Sequence, residues 1–380
     1  MYNYFNKIFL WSKIQDEIGE PPWEYDFLYN LPESEYPKYL AKIFKYRTGE
    51  KLPLSKKLRI ENGELKINYE IDKKRCKTFN QKIQWLKLYD STQLKRDCTD
   101  KIKVRDYVKE KIGEEYLKPV LQIIPNESHE TVRCHCEQAN DHLMSAWQST
   151  LKSEHIMDCR ADIIMSLSAR NDVNTYFDRI DFDKLPNSFV IKTNHGSKWQ
   201  YIIKNKNEYL NNMRLFEYTK RKITGWLEQE YWCWNGFEMQ YKGIEPKILI
   251  EPLMREDINK EPDNIHVFCF NGIPKLYVRI QNDTIALYDN NFNIIDDTLS
   301  KYDKKANKHN DNLINQSFDL TVKLIKNFHA KFVRVDYLIY QNKIYFEEFT
   351  FSPYSGFHNF NKDWNLKLGN LLNIGENYEF

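Results

Sequence analysis

The sequence is poor in the residues that bend or loosen a chain, with Gly 12 and Pro 13 among 380 residues. This low content excludes collagen-like and low-complexity proteins. An excess of one charge sign is lacking too, because Lys+Arg 56 and Asp+Glu 54 leave a net charge of +2. A protein so nearly neutral is not a general polyanion binder, and we expect no nucleic-acid partner.

Long hydrophobic runs are absent. No window approaches the ~18 apolar residues of a membrane span, and residues 1–11 lack the apolar stretch of a signal peptide. The seven cysteines are odd in number and scattered through the chain. This pattern favours free thiols in a reducing compartment. We therefore expect a cytoplasmic protein without a transmembrane segment.

Cysteine pairs at the spacing of a zinc site are missing as well. Residues 122–180 hold several thiols and imidazoles, at Cys134, His135, Cys136, His142, His155 and Cys159. Such side chains are preferred zinc ligands, yet no CxxC pair accompanies them. Free thiols on an inserted helical region are the favoured interpretation, and a metal site is the alternative.

The chain is rich in apolar and aromatic residues, at 41% and 15%, so it can bury a sizeable core in two or three domains or sub-domains. Residues 1–77 are expected to be rich in helices. From residue 189 onward, β-branched and aromatic runs predict strands at 189–192, 201–204, 247–251, 266–270, 275–280, 332–339 and 344–351. A helix is expected over 210–230. Asn271-Gly272 predicts a hairpin turn, because both residues tolerate positive φ.

The most informative segment lies near the C-terminus, VRVDYLIYQNKIYFEEFTF. If residues 341–343 connect two antiparallel strands, Asp336 lies opposite Glu348 and Arg334 lies opposite Thr350, with Cβ atoms about 5 Å apart. Strand alternation predicts one shared face for Ile344, Phe346, Glu348 and Thr350. Two carboxylates this close repel each other unless a cation lies between them, and oxygen ligands suit Mg²⁺. The alternative is a surface carboxylate with an ordinary arginine partner.

Basic side chains occur where a phosphate chain could use them. Lys192 ends a predicted strand directly before the turn 194–197, whose backbone N–H groups could bind an anion. A solvated lysine is the alternative. His266 and Arg279 share one face if Asn271-Gly272 is a two-residue turn, although His266 could also be a buried, hydrogen-bonded histidine.

The order of the segments FVIKTNHGS, ILIEPLM, HVFCFNG, VRVDYLI and EEFTFSP resembles an ATP-grasp protein. With KIQWLKLYD and DKIKVRDYVKEKIGEEYL, the chain is similar to the TupA-like branch, associated with teichuronopeptide biosynthesis, over about 78–121 and 181–372. The resemblance implies an α+β ATP-grasp fold, in which two sub-domains grip ATP. The implied divisions are a helix-rich N-terminal region (1–77), a pre-grasp region with the insertion (78–185), a small lid sub-domain (186–250) and a large sub-domain with the metal site (251–380).

The resemblance also implies roles for individual side chains. ATP phosphates would be held by Lys101, Lys192 and the loop His195, Gly196 and Ser197. Adenine would lie over a hinge that contains Glu251, Pro252 and Met254, and Asp257 or Glu256 would meet the ribose. Mg²⁺ would be bound by Asp336, Glu348 and Thr350. The phosphoryl group and an acyl phosphate would be steadied by Arg334 or Arg279, and His266, at a position where relatives tend to have lysine, would be a further catalytic residue.

The activity that the resemblance implies is an ATP- and Mg²⁺-dependent ligation of a carboxylate to an amine through an acyl phosphate. The substrates would be a free or nucleotide-linked sugar acid and an amino acid or amino alcohol, and the protein could contact polysaccharide assembly machinery. A kinase for a sugar hydroxyl would use the same ATP machinery. A non-catalytic carbohydrate-binding protein with a degenerate site is a third reading, based on His266, Thr350 and the single glycine of the 194–197 turn.

Overall fold

The computed structural model describes residues 31–61, 64–125, 176–233, 236–282, 284–306 and 312–375. Its α-helices are α1 (Tyr36–Thr48), α2 (Phe79–Tyr89), α3 (Gln93–Thr99), α4 (Val104–Ile112), α5 (Lys206–Asn211), α6 (Met213–Leu227), α7 (Asn312–Ile325) and α8 (Lys362–Leu371). Its strands are β1 (Leu54–Glu61), β2 (Glu64–Ile71), β3 (Gln122–Ile124), β4 (Phe189–Thr193), β5 (Gln200–Ile203), β6 (Ile248–Pro252), β7 (Asp263–Phe270), β8 (Ile273–Gln281), β9 (Thr284–Asp289), β10 (Ile294–Ile295), β11 (Phe332–Tyr340) and β12 (Lys343–Thr350). The cysteine- and histidine-bearing residues 134–159 lie outside the described residues.

The larger sheet has six strands in the order β10-β9-β8-β7-β11-β12, and each strand pairs antiparallel with its neighbours. One face packs on α4 and α7 through residues such as Val108, Leu324 and Val335. The other face packs on α1, α2 and α8, as Phe44, Phe79 and Leu368 show. Because apolar side chains cover both faces, the central strands are almost continuously buried, as their β-branched and aromatic sequences predicted.

The smaller sheet has the order β3-β6-β4-β5, again antiparallel, with α6 packed against it. All seven predicted strands are present with their ends within three residues, and the helix expected over 210–230 is observed as α5 and α6. The division proposed between residues 250 and 251 falls inside β6, which belongs wholly to this smaller sheet.

In the described part of the N-terminal region, residues 31–77, an antiparallel hairpin of β1 and β2 follows α1, which the helix-rich expectation did not include. The sequence carries the signal for it, since Asn62-Gly63 stands between two runs of alternating polar and apolar residues. Four cysteines of the described residues, Cys76, Cys98, Cys233 and Cys269, are buried free thiols, which agrees with the expectation from cysteine count. No helix in the described part of the chain has the length and apolarity needed to cross a membrane.

Helix α2 is fixed at its N-terminus and against α8. Thr78 and Gln81 form a reciprocal capping box, and the Asn80 backbone N–H donates to Asn365 Oδ1 at 3.1 Å. Gly369 of α8 lies against the start of α2 so closely that an added Cβ would overlap the Lys77 carbonyl oxygen and approach Phe79 N to 2.9 Å. Only glycine allows this approach of two helix backbones.

We expect Gly369→Ala to lower the free energy of unfolding by at least about 2 kcal/mol, because the backbone it meets cannot move aside without strain. Gly225→Ala is the matched control, since its nearest atom would be Gln229 Nε2 at 3.9 Å. In that helical position alanine should be neutral or stabilising by up to about 1 kcal/mol. Urea unfolding of both variants checks this, and equal effects would contradict the packing interpretation.

Candidate active site

A cavity of about 1080 Å³ lies between the two sheets. We call it the site cavity. Residues predicted for the site that line its wall are Lys101, Lys192, Ser197, Glu251, Pro252, Met254, His266, Arg334, Asp336, Glu348 and Thr350. Segments separated by up to about two hundred and fifty residues in the sequence thus converge on one space, which is larger than the roughly 300–1,000 Å³ of most ligand pockets.

The pairing predicted for the C-terminal strands is confirmed, with Asp336 opposite Glu348 and Arg334 opposite Thr350. The connection differs from the prediction, because Lys343 pairs with Tyr340 and leaves a two-residue turn. A β-bulge compensates for the shorter turn. Tyr337 pairs with residue 346 and Asp336 pairs with residue 348, so β12 has one extra residue between these two pairs.

The bulge has two further consequences. It leaves Glu347 without a partner on β11, and the side chain of this residue reaches the site cavity. It also breaks the predicted shared face: Ile344 and Phe346 pack in the core beside α7, whereas Glu348 and Thr350 line the cavity. The expectation of one face for all four side chains was therefore wrong, because alternation restarts after the extra residue.

The polar side chains form two rows across β7, β11 and β12. His266, Asp336 and Glu348 occupy one row, and Phe268, Arg334 and Thr350 occupy the next. Arg334 donates from Nε to Asp336 Oδ1 and from Nη2 to Asp336 Oδ2, both at 2.6 Å. Thr350 Oγ1 lies 2.8 Å from Asp336 Oδ2 and 2.9 Å from Glu348 Oε1, so one hydroxyl joins the two carboxylates.

Burial governs the pKa values of these groups. Burial raises the pKa of Asp336, against the opposing effect of the Arg334 guanidinium. Burial also disfavours the charged form of Arg334, but the Asp336 carboxylate outweighs it and keeps the arginine pKa above its usual value. The pKa of His266 is well below its ordinary value, because of burial and the neighbouring Arg334 charge. His266 is therefore neutral near pH 7 and can accept a hydrogen bond.

The donor set fits Mg²⁺ in chemistry, because it consists of carboxylate and hydroxyl oxygens. A carboxylate offers about four lone-pair positions. On Asp336, hydrogen bonds from Arg334 and Thr350 occupy three of these lone-pair positions. On Glu348, one hydrogen bond, from Thr350 to Oε1, occupies one position. Glu348 is thus the most available ligand. Within the described ranges, no group of three or more histidine, cysteine, aspartate or glutamate side chains is placed to hold a metal.

Four charged side chains form a closed ring in the cavity, which we call the charge ring: Lys118, Lys192, Glu251 and Glu347. Lys118 Nζ lies 3.0 Å from Glu251 Oε2 and 2.6 Å from Glu347 Oε2. Lys192 Nζ lies 2.9 Å from Glu251 Oε2 and 3.3 Å from Glu347 Oε1. Since Lys192 and Glu251 belong to the smaller sheet and Glu347 to the larger one, the ring bridges the two sheets.

The charge ring favours the ionised forms of Lys192, Glu251 and Glu347. Burial disfavours the charge of Lys192, but Glu347 and Glu251 outweigh it and raise the lysine pKa. The two lysines likewise outweigh burial at Glu251 and lower its pKa. Lys101 lies nearby and donates from Nζ to the Gly196 carbonyl. Burial lowers the pKa of Lys101, while Glu348 acts in the opposite direction.

The turn before β5 places its residues differently from the expectation. Ser197 lines the cavity, but the His195 ring is turned away from it, with Nε2 at 3.1 Å from the carbonyls of Trp226 and Gln229. Burial lowers the pKa of His195 to about 4. The His195 side chain therefore lies outside the cavity, and the predicted contact of this loop with phosphate would involve its backbone N–H groups. Gly196 is required here because an added Cβ would collide with the Trp199 ring, which covers it.

Arg279 does not share a face with His266. The Asn271-Gly272 turn has two residues as predicted, but a bulge between Phe268 and Cys269 shifts the register, so that Ile265 faces Arg279 and His266 faces Val278. Arg279 is buried on the opposite side of the sheet, 3.3 Å from Asp263 Oδ2. Its predicted role in steadying the phosphoryl group is thus excluded by its position.

The predicted hinge lies at the cavity wall, with Pro252 and Met254 exposed to it. Glu251 is directed into the charge ring. Asp257 lies outside the cavity, in a turn where its Oδ1 accepts from Asn259 N at 3.0 Å. Glu256 accepts from the Gln341 backbone at 2.5 Å, so neither proposed ribose contact reaches the cavity.

Sequence reasoning missed Lys118, Glu347, Trp199, Glu238 and Arg47 at the cavity wall. A usable signal existed for Glu347, because two consecutive carboxylates in an apolar strand indicate a bulge. Lys118 and Glu238 lie in segments without strand or helix periodicity, and only tertiary folding brings them to the site.

These two antiparallel sheets with a cavity between them form an ATP-grasp fold. A family model described as TupA-like ATPgrasp matches residues 154–373, more than half of the chain. The chain belongs to the TupA-like ATP-grasp family. Members of the ATP-grasp superfamily are ATP-dependent ligases.

Solved structures similar to the chain include D-alanine–D-alanine ligases. The enzyme from Bacillus anthracis, complexed with ATP, is 13% identical, with 68% of this chain and 56% of that chain covered and a TM-score of 0.33. The enzyme from Helicobacter pylori is 14% identical, with 88% and 83% covered and a TM-score of 0.35. Phosphoribosylamine–glycine ligase from Thermotoga maritima is 9% identical, with 68% and 48% covered and a TM-score of 0.28. The chain thus spans just over half the length of the first of these. No curated protein matches the chain.

Proposed function

We propose that this protein is an ATP-dependent ligase that joins a carboxylate to an amine through an acyl phosphate. The observation that carries the proposal is the convergence of two opposed carboxylates, Asp336 and Glu348, with Lys101, Lys192 and Arg334 on one cavity. Opposed carboxylates beside several buried cations suit a nucleotide phosphate chain with its divalent ion.

In this proposal each end of ATP has its own part of the cavity. Pro252 and Met254 border the adenine, because backbone at a strand end can exchange hydrogen bonds with its ring. Lys192 and Lys101 hold the phosphates as point charges. Glu348, with Asp336 and Thr350, holds Mg²⁺, which when bound neutralises phosphate charge. Arg334, positioned by Asp336, steadies the transferred phosphoryl group.

The proposed reaction proceeds in two transfers. A carboxylate oxygen of the first substrate attacks the γ-phosphorus of ATP, the bond to ADP breaks, and an acyl phosphate forms. The amine nitrogen then attacks the acyl carbon, inorganic phosphate leaves, and the nitrogen loses a proton to solvent. The protein contributes positioning and charge neutralisation to both transfers.

For the substrates we propose a sugar acid and an amino acid or amino alcohol, within the assembly of a cell-surface or capsular polysaccharide. The support for this is the TupA-like family membership, which is a fold-level analogy. A carboxylate on a polyhydroxylated ring suits the polar cavity wall, where Gln240, Ser352 and Tyr354 are present.

Trapping with hydroxylamine tests the proposal. We expect the protein with ATP, Mg²⁺ and glucuronate or galacturonate, free or nucleotide-linked, to give a hydroxamate in equal amount to ADP, because hydroxylamine captures an acyl phosphate. A stable phosphorylated sugar without hydroxamate would instead identify a kinase. Absence of Mg²⁺-dependent ATP binding by calorimetry would identify a non-catalytic protein. Either of these two results overturns the ligase assignment.

A further inference from the structure

Two members of the charge ring have no role in the proposed binding of ATP, although both face the site cavity. Lys118 is 6% exposed and lies between α4 and β3, where its carbonyl accepts from Arg105 Nη2 at 2.8 Å. Glu347 is the extra residue of the bulge in β12. Charged side chains at such positions lose hydration, and close partners must compensate for that loss. The partners of Lys118 and Glu347 therefore indicate what these side chains do.

The backbone holds Lys118 and Glu347 side by side. Leu117 and Phe346 form an isolated parallel bridge, so the residues that follow them in the chain are neighbours. Leu117 and Phe346 are themselves buried in the core of the larger sheet. As a result, Lys118 Nζ lies 2.6 Å from Glu347 Oε2. The pair is thus built into the fold, at the point where the segment between α4 and β3 meets β12.

Both carboxylates of the charge ring are shared by its two lysines. Glu251 Oε2 lies 3.0 Å from Lys118 Nζ and 2.9 Å from Lys192 Nζ. Glu347 directs Oε2 to Lys118 and Oε1 to Lys192, the latter at 3.3 Å. An ammonium group has three N–H donors, and the two carboxylates occupy two of those on Lys192. A phosphate that takes more than the third donor must displace a carboxylate, and Glu347 holds Lys192 by the longer contact.

The charge ring has no net charge, because two lysines balance two glutamates. Charges a few ångströms apart in a partly buried site interact more strongly than in water, since the effective dielectric constant is lower. Removal of one carboxylate would therefore make the ring attract phosphate, and removal of one lysine would make it repel phosphate. When Lys192 turns toward a phosphate, Lys118 still contacts both carboxylates and offsets their charge.

We propose that Lys118 and Glu347 set the affinity of the site for nucleotide in opposite directions. Glu347 competes with the phosphate chain for Lys192 and pairs with Lys192 again when the nucleotide leaves. Lys118 is a positioning residue, which frees Lys192 for the phosphates by retaining the two carboxylates. The inference rests on the proposed phosphate role of Lys192 and goes beyond it, because it holds for a ligase and a kinase alike.

Calorimetric titration with ADP and with the non-hydrolysable analogue adenylyl imidodiphosphate, each with Mg²⁺, tests the proposal without turnover. We expect Glu347→Gln to tighten nucleotide binding and Lys118→Met to weaken it, each by roughly 10-fold, because each changes the charge beside the phosphates by one unit. Lys118→Arg keeps the charge and should bind within about 3-fold of wild type. Lys118→Met combined with Glu347→Gln makes the ring neutral again, and its affinity should also return to within about 3-fold of wild type.

An ion pair at the surface supplies the controls. Lys109 Nζ lies 2.6 Å from Glu114 Oε2, and both side chains are exposed and outside the cavity wall. Lys109→Met and Glu114→Gln change the same charges, and the affinity should stay within about 2-fold of wild type because solvent and salt screen them. Thermal unfolding is measured for every variant. Glu347→Gln removes two ion-pair contacts and should not raise stability, so tighter binding cannot come from a more stable fold.

The two single substitutions separate this inference from a structural role and from the ligase assignment. Weaker or unchanged binding by Glu347→Gln overturns the inference, even if hydroxylamine trapping confirms the ligase. Tighter binding by Glu347→Gln, with the double variant near wild type, supports the inference even if no hydroxamate is found. If Lys118→Met fails to fold because Glu251 loses a partner, Glu347→Gln and the double variant still decide the question. Weaker binding in both single variants would show that the ring only holds the sheets together.

Discussion

Replacing Glu348 by glutamine is expected to lower ATP-dependent turnover by at least roughly 10²–10³-fold with little change in stability. Glutamine keeps the volume and the contact with the Thr350 hydroxyl but removes the charge that opposes phosphate-bound Mg²⁺. Glu348 is half-buried and its carboxylate hydrogen-bonds to the neutral Thr350 hydroxyl, so its replacement breaks no hydrogen-bonded ion pair, although Lys101 loses a charge that opposes its desolvation. Turnover would be measured by ADP release, and stability by thermal unfolding.

The same experiment at Asp336 would be less informative. Asp336 binds both donor positions of buried Arg334, and removing one partner of a buried ion pair costs about 3–5 kcal/mol. Asp336→Asn would therefore combine loss of activity with loss of stability. Glu217→Gln, at an exposed position of α6, is the control for Glu348→Gln. If the Glu348 variant keeps more than about a tenth of the wild-type rate, the metal assignment fails.

The second large effect is expected at Lys192, where Lys192→Met should weaken ATP binding at least about 30-fold. A charge-assisted hydrogen bond contributes about 1.5–3 kcal/mol, and 1.4 kcal/mol corresponds to tenfold in affinity. Loss of Lys192 would also leave the Glu251 and Glu347 carboxylates with Lys118 as their shared cation in the charge ring. Their uncompensated charge would repel phosphate and add to the loss.

Calorimetric titration with ATP and Mg²⁺ measures this effect. Lys204→Met is the control, because Lys204 follows β5, is exposed and lies outside the cavity wall. Its ATP affinity should match wild type within about 2-fold. Unchanged affinity in a folded Lys192→Met variant would show that the charge ring is structural and that the phosphates bind elsewhere.

The strands of the candidate site were predictable because burial on both faces imposes β-branched and aromatic residues on them. The opposition of Asp336 and Glu348 followed from pairing across one short connection. That prediction succeeded although its turn was one residue too long, because the bulge at Glu347 supplied the missing residue. The predicted pair of carboxylates is therefore correct, although a two-residue turn and a bulge produce it in place of the predicted three-residue turn.

The departures from prediction at Arg279 and His195 have different causes. A bulge between β7 and β8 reverses the face of Arg279, and packing of Trp199 over Gly196 accompanies the rotation of His195 toward α6. The bulge between β7 and β8 has no pair of consecutive carboxylates to mark it, unlike the bulge at Glu347, so counting along the sequence did not reveal the extra residue there.

The sequence by itself determined where the strands lie and which two carboxylates at the centre of the site oppose each other, because these follow from local periodicity and near-neighbour pairing. The order of its motifs showed the resemblance to the family. Only the tertiary structure decided that Lys118 and Glu347 join Lys192 and Glu251 in one ring, and that Arg47 and Glu238 both line the cavity. These contacts join segments far apart in the chain. The opposite charges attract one another only once the packed sheets hold them close together, and no single segment holds that information.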